Sequence, residues 1–336
     1  MKVCIYGAGA IGGLIGGWLA ASGAAEVSAV ARGATLAALQ RDGWRVRGGD
    51  GEERRAPVRA SADPAELGVQ DVVVIAVKGP ALAEVSPRLA PLLGPDTIVL
   101  PAMNGVPWWF GAGAPALGDA PLESVDPGGL IGRSIDLARV VGCVVHIAAA
   151  TSAPGLVEHR MGRKLIIGEP AGGMSPRVDA LAGVLERAGL EVERSADVRR
   201  AIWYKLWGNL TINPIAALTG APSDRILTDP LVRDFCSAAM REAAEIGARI
   251  GCAIDQNPED RHKVTLRLGS FKASMLQDVE AGRPIELDGI VGVTRELGQR
   301  VGVPTPSIDA LLGLTRLMGR MRGLYPDADG PAGSIG

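Results

Sequence analysis

An apolar run, Val3 to Tyr6, leads directly into Gly7-Ala8-Gly9-Ala10-Ile11-Gly12, and an apolar, glycine-rich segment follows as far as Ser22. This is the GxGxxG spacing in the context that gives it meaning, with a short buried strand before it and a helix, Ile11 to Ser22, after it. The first glycine permits a tight turn, the second lets a backbone approach a pyrophosphate, and the third lets the helix pack on the strand. Phosphates would rest at the helix N-terminus, where free N–H groups and the macrodipole favour negative charge. The N-terminal part is therefore expected to be a doubly wound α/β domain that holds a dinucleotide on Gly7, Ala8, Gly9, Ala10, Ile11 and Gly12.

Lys2 and the apolar stretch ending near Ala25 also have the outline of an export signal or a membrane span. Glycines at 7, 9, 12, 13, 16 and 17 would weaken a membrane helix, whereas a strand-turn-helix needs them. Glu26 to Ala31 follows as a second strand and ends at Arg32. An acidic residue there would grip the ribose 2′-hydroxyl of NAD, while a guanidinium offers a fork that matches a 2′-phosphate. Arg32 thus predicts NADP(H); the alternative is a solvated loop residue.

Trp44 to Ser61 has the pattern of a polar hairpin, and Val72 to Val77 that of a strand covered on both faces, ending at Lys78. Thr97 to Met103 is the next strand, ending in Asn104-Gly105. Both polar residues stand at strand carboxyl ends, where open α/β sheets bind ligands. Val106 to Gly132 is a Gly/Pro/Ala-rich insertion that opens with Trp108-Trp109-Phe110, in a chain with only 6 Trp, 3 Tyr and 3 Phe. Those rings would either wall a ligand pocket or clamp the insertion to the body. Arg139 to Ala149 is expected as a strand, Gly155 to Gly168 as a hairpin, Pro176 to Ala188 as a helix and Leu190 to Arg194 as a last strand. Beyond it only helices are expected, at about 197–219, 228–250, 257–281, 286–301 and 306–322. The expected division is an α/β domain over 1–196, an all-α domain over 197–325 and a loose tail over 326–336.

In the first of those helices Lys205, Asn209 and Asn213 recur at i, i+4 and i+8 and so share one face. Ile202, Trp203, Leu206, Trp207, Leu210 and Ile212 supply enough apolar surface to bury much of the same helix, so this polar stripe is costly unless something polar meets it. A substrate would do so; an exposed amphipathic face is the plainer account. Pro214 offers no N–H to the carbonyl of Leu210, which is expected to loosen the helix beyond Asn209. Further on, Ser274 and Asp278 stand one turn apart, and Glu286 falls in the first turn of the next helix, where a carboxylate complements the dipole. A solvated face would account for the pair, and capping for Glu286.

With a formal net charge of -2, bulk electrostatics points to neither nucleic acid nor an anionic membrane, leaving a small molecule as the partner. Cys4, Cys143, Cys236 and Cys252 contain no CxxC pair and the 3 histidines are scattered, as in a reduced cytoplasmic protein without a structural metal.

GAGAIG, Arg32, Lys78, Asn104-Gly105, WYKLWGNLTINPIAALTG, SMLQDVEAG and PIELDG occur in the order and context of the ketopantoate reductase (2-dehydropantoate 2-reductase) family, which the chain resembles over both domains, roughly residues 1 to 320. The resemblance implies a Rossmann-type domain followed by an all-α domain, and reduction of a 2-keto acid by NADPH, most simply ketopantoate to pantoate. It implies that Gly7 to Gly12, Arg32, Lys78 and Asn104 hold NADPH, that a small residue near Ala149 lets the cofactor backbone pass, and that Glu286 reaches its nicotinamide end. Lys205 would be the proton donor, with Asn104, Asn209, Asn213 and Ser274 on the substrate; Asp278 matches an acidic position without an assigned role. The chain departs from the family at Met103 and in the length of the Val106 to Gly132 insertion, which could change the acid accepted. The alternatives are the same chemistry on a bulkier 2-keto acid and a non-catalytic NADP sensor. A homodimer through the helical domain and a monomer both stay open.

Overall fold

The computed structural model describes residues 1–327 and divides into two units. One comprises Met1–Gly113 and Gly128–Ile202, the other Ala114–Pro127 and the chain from Trp203 on. Among the described residues every strand lies in the first unit: β1 (Lys2–Tyr6), β2 (Glu26–Val30), β3 (Trp44–Arg47), β4 (Glu53–Ala56), β5 (Arg59–Ser61), β6 (Gln70–Ile75), β7 (Leu93–Pro101), β8 (Gly142–Ala153), β9 (Leu156–Gly168) and β10 (Glu191–Arg194). Helices α1 (Ala10–Ala21), α2 (Gly33–Asp42), the short α3 (Leu82–Val85) and α4 (Leu130–Ser134), and α5 (Pro176–Arg187) accompany them.

The first sheet has the order β5-β2-β1-β6-β7 and is parallel throughout. The second runs β10-β9-β3-β4, with β8 antiparallel on β9. Helix α1 lies between the sheets, which explains its glycines. A Cβ at Gly12 would stand 2.9 Å from Ile5 of β1, one at Gly16 2.8 Å from both Ile5 and the Trp44 ring of β3, and one at Gly17 would collide with Val46. The stretch that composition allows as an export signal is thus the central layer of a packed domain. Its core runs through both sheets, with Ile5, Leu14, Trp44, Val72, Leu165 and Leu181 all buried.

Two expected hairpins pair differently. Within Trp44 to Ser61 only β3 and β4 form one, while β5 crosses to the first sheet beside β2. Gly155 to Gly168 is not a hairpin but the single strand β9, whose partner is β8. Gly162, at φ +74, lies inside that strand beside an irregularity in the pairing, so it marks a bulge and not a turn.

Helix α6 (Val198–Thr219) starts in the first unit and continues in the second, so the units part between Ile202 and Trp203, inside the helix and not ahead of it. It stays helical through Pro214. The second unit adds α7 (Ser223–Thr228), α8 (Pro230–Arg249), α9 (Pro258–Arg267), α10 (Ser274–Glu280), a π-turn at Asp288–Gly292, α11 (Val293–Arg300) and α12 (Pro306–Met321). Its core includes Ile212, Ile215, Ile226, Leu276 and Leu311. The expected 228–250 helix begins at Pro230, because the Asp229 carboxylate caps it on the N–H groups of Leu231 and Val232. The expected 257–281 helix is two, α9 and α10, interrupted at Gly269 with φ +76. Of the tail expected over 326–336, residues 328–336 lie outside the described residues.

Candidate active site

In the first unit the chain leaves β1 at Tyr6 and turns on Gly7, whose φ of +99 and tight fit beside Val77 and Ala76 admit no side chain. Helix α1 then starts from Gly9 with no side-chain cap and no acidic residue in its first turn. Its first N–H groups are therefore an anion site by construction. Gly12 is fixed by packing, since a Cβ there would strike the Gly7 carbonyl oxygen. Gly9 differs: an added Cβ would meet nothing within 4 Å. Packing within the protein therefore gives Gly9 no reason to be bare.

A cavity of about 170 Å³ opens at this turn, lined among others by Gly7, Gly9, Arg32, Thr35 and Arg88. Arg32, the residue before α2, lies 3.1 Å from the Glu84 carboxylate. Arg88 is a second cation that the sequence analysis missed. It sits in a 3₁₀ segment, Ser86–Leu92, with no motif around it, and donates to the Ala62 carbonyl at 3.2 Å. Burial pushes the Tyr6 phenol up, and Arg88 and Arg32 oppose that shift, which places both cations near one wall of the cavity. Bare backbone, an uncapped helix N-terminus and two guanidinium groups fit a dinucleotide with an additional phosphate.

Ile75 of β6 pairs with Pro101 of β7, and Lys78 and Asn104 each stand three residues beyond those partners. The same register thus carries both to one rim of the first sheet. Ala149 lies elsewhere, in β8 of the second sheet opposite His159, and is not among the residues lining the cavity.

In the second unit α6 presents its polar stripe. Lys205 and Asn209 are half-buried, while Asn213 is only 5% exposed and its Nδ2 is enclosed with no hydrogen-bond partner among the described residues. The rest of the helix is anchored by Trp203, Leu206, Trp207 and Leu210, with the Trp207 indole donating to the Met240 carbonyl at 2.7 Å. An enclosed amide donor without an acceptor costs about 1–3 kcal/mol, so the solvated-face account fails for Asn213.

Ser274 opens α10 and is exposed. Asp278 is not on a solvated face: it is 3% exposed, and the Nε of Arg283 pairs with it at 3.0 Å. Arg283 also donates its backbone N–H to the Asp278 carbonyl, so this residue holds the turn that leads to Glu286. Glu286 is half-buried and precedes the π-turn, so it lies ahead of the helix instead of in its first turn.

Trp108, Trp109 and Phe110 are buried in the first unit. A Cβ at Gly142 would stand 2.8 Å from the Trp109 ring, and the Arg199 guanidinium lies 4.9 Å from the Phe110 ring centroid while its Nε donates to the Phe110 carbonyl at 3.0 Å. They clamp the start of the insertion, and the pocket-wall alternative loses its support. Its middle, Ala114–Pro127, belongs to the second unit, where the Glu296 carboxylate accepts from the N–H groups of Glu123 and Ser124 at 2.9 and 2.8 Å and Arg300 donates to the Ala120 carbonyl at 2.8 Å.

Burial pushes the thiols of Cys4 and Cys236 up to about 11, which leaves them poor nucleophiles. No helix among the described residues is long and apolar enough to cross a membrane.

Comparison with known proteins identifies the family. The family described as Ketopantoate reductase PanE/ApbA matches residues 3–172, and its C-terminal family, Ketopantoate reductase PanE/ApbA C terminal, matches residues 197–319. A 2-dehydropantoate 2-reductase of Mesorhizobium japonicum is 46% identical over 97% of this chain and 100% of its own length. A crystal structure from Ralstonia solanacearum MolK2, assigned as a ketopantoate reductase, has 54% identity and a TM-score of 0.92 over 96% of this chain and 99% of that one. A D-mandelate dehydrogenase solved with NADH and anilino(oxo)acetate, 20% identical with a TM-score of 0.81 over 97% of this chain and 100% of that one, shares the fold alone.

Proposed function

Because this chain belongs to the ketopantoate reductase family, we propose that it reduces ketopantoate to pantoate with NADPH in the cytoplasm, and that Lys205 supplies the proton. The observation that carries the proposal is the α6 stripe, where an ammonium and two carboxamides stand on one face of a helix and the Asn213 amide is enclosed without an acceptor. Such a stripe has no use in a protein that only senses a dinucleotide.

Bound NADPH would supply the hydride. The chain's own part is orientation, charge stabilisation and proton transfer. As the keto carbon accepts two electrons, negative charge builds on its oxygen, and the Lys205 ammonium both stabilises that charge and donates the proton that completes the hydroxyl. Asn209 and Asn213 donate N–H groups to the substrate's oxygens, and Asn104 and Ser274 complete its polar contacts. On the cofactor side the turn from Gly7 to Gly12 takes the pyrophosphate, Arg32 and Arg88 the 2′-phosphate, Lys78 and Asn104 the sheet rim, and Glu286 the nicotinamide end. Ala149 would give the cofactor backbone room to pass.

The test is NADPH oxidation by the purified protein with ketopantoate, beside NADH and a panel of bulkier 2-keto acids. Lys205→Ala should lose turnover by about 10²-fold or more, the scale of general acid catalysis, while NADPH binding is retained. Wild-type protein that binds NADPH yet reduces no 2-keto acid would overturn the proposal in favour of sensing. Turnover of bulkier acids alone would keep the chemistry and move the substrate.

A further inference from the structure

Between Ile202 and Ala217 the half-exposed residues of α6 are Tyr204, Lys205 and Asn209. Gly208 shares their face, one turn beyond Tyr204 and three residues beyond Lys205, yet it is buried. What covers it is the guanidinium of Arg261, from α9. A Cβ added at Gly208 would collide with Nη2, and would stand 2.5 Å from Nε and 2.8 Å from Cζ. Contact nearer to the two nitrogens than to Cζ means that the Nε–Nη2 edge faces the α6 backbone and fills the space that a side chain at Gly208 would take. That edge is the fork with which arginine grips a carboxylate.

The fork has no acceptor. Nε is enclosed without a hydrogen-bond partner, and among the described residues no carboxylate pairs with Arg261. Its Cζ lies 5.4 Å from the Tyr204 ring centroid, and the Tyr204 hydroxyl is itself held by Gln256 at 2.9 Å, so stacking aims the guanidinium without satisfying it. Positions i and i+3 of a helix are about 5–6 Å apart at Cβ, so this cation sits within a turn of the Lys205 stem. An anion gripped by the guanidinium would therefore lie within reach of the Lys205 ammonium as well.

We propose that Arg261 binds the carboxylate of the 2-keto acid on the bare backbone of Gly208, which leaves Lys205 to the keto oxygen and makes the enzyme select acids over neutral carbonyl compounds. This rests on the function proposed above. Arg261 is long and only half-buried, so its guanidinium can lift from Gly208 by the width of a carboxylate oxygen while staying aimed at it.

The experiment compares wild type, Arg261→Gln, Arg261→Lys and Gly208→Ala as full-length proteins, with NADPH and either ketopantoate or its methyl ester, which keeps the carbonyl and lacks the charge. Arg261→Gln should raise KM for ketopantoate by about 10- to 100-fold, as expected for loss of a charge-assisted pair, with kcat and the KM for NADPH little changed and the ester unaffected. Arg261→Lys should recover part of the loss. Gly208→Ala should move the acid-to-ester ratio in the same direction by pushing the guanidinium off the backbone. If Arg261 merely fastened α9 to α6, acid and ester would suffer alike, and an unchanged ratio overturns the inference. Calorimetric titration of ketopantoate into the NADP⁺-loaded proteins separates the two proposals. Wild type that binds but does not reduce, with binding lost in Arg261→Gln, defeats the function and keeps the inference. Normal turnover with a wild-type ratio in Arg261→Gln defeats the inference alone. Neither binding nor turnover in wild type defeats both.

Discussion

Nη1 of Arg32 lies 3.1 Å from Oε1 of Glu84, and both side chains are more than half exposed. An exposed ion pair of this kind contributes only about 0–1 kcal/mol, so it is no obstacle to a better partner. It does tie up the guanidinium at the cavity beside Gly7 and Gly9. Glu84→Gln should therefore lower KM for NADPH by about 2- to 5-fold, the range that 1 kcal/mol allows, and leave NADH unchanged. Arg32→Ala should raise the NADPH value and narrow the preference over NADH. Steady-state KM values for both cofactors decide it, and an NADPH KM indifferent to both substitutions would remove Arg32 from the phosphate site.

Gly9 and Gly12 give a pair of opposite outcomes from the same added methyl group. A Cβ at Gly12 meets the Gly7 carbonyl oxygen and Ile5, so Gly12→Ala should cost about 1–3 kcal/mol of stability. Gly9 has no protein neighbour within 4 Å, so Gly9→Ala should melt like wild type and bind NADPH at least several-fold more weakly. Thermal melts with and without NADPH read both effects. Equal cofactor affinity in Gly9→Ala would mean the pyrophosphate does not approach there.

The first of these sites was legible because its signals are local. A strand, three spaced glycines and a residue at the end of the next strand sit within the first 32 residues, with Gly7 dictated by backbone geometry and Gly12 by packing. The α6 stripe was legible for the same reason, since helical spacing alone aligns Lys205, Asn209 and Asn213. What escaped depends on contacts between distant segments. Arg88 reaches the cavity from a 3₁₀ segment, Arg261 reaches Gly208 from another helix, and the Ala114–Pro127 segment is held by Glu296 and Arg300 of α11. The Asp278–Arg283 pair was hidden because an i, i+4 polar pairing on α10 suggested solvent, whereas the carboxylate is buried beneath the turn that follows.

That pair carries its own prediction. Asp278 is buried and Arg283 is about half exposed, so the bond lies between a surface pair and a buried one. Asp278→Asn should destabilise the protein by about 1–3 kcal/mol, as for a hydrogen bond to a charged group. Because the same turn leads to Glu286, the variant should also raise KM for NADPH more than it lowers kcat. Denaturant unfolding and steady-state kinetics test the two parts, and a variant with wild-type stability would show that the charge of the buried carboxylate does not hold the turn.

The buried pair in which His262 Nε2 lies 2.9 Å from Ser237 Oγ makes stability depend on pH. Burial holds the imidazole below its usual range, the Arg233 and Arg261 guanidinium groups act the same way, and Glu259 opposes them. In the window between that lowered value and the unfolded value of about 6.5, the unfolded chain binds a proton at His262 that the native chain refuses. Stability contributed by the neutral imidazole is thus fully present above the unfolded value and is lost as pH falls toward the folded one. Melting temperature should decline from pH 7.5 to 5.5, and His262→Gln, which keeps a hydrogen-bonding group beside Ser237, should flatten that slope even where it lowers stability overall. Parallel melts of the two proteins across this range decide the matter; equal slopes would mean that the imidazole is protonated in the native state and that other groups set the pH dependence.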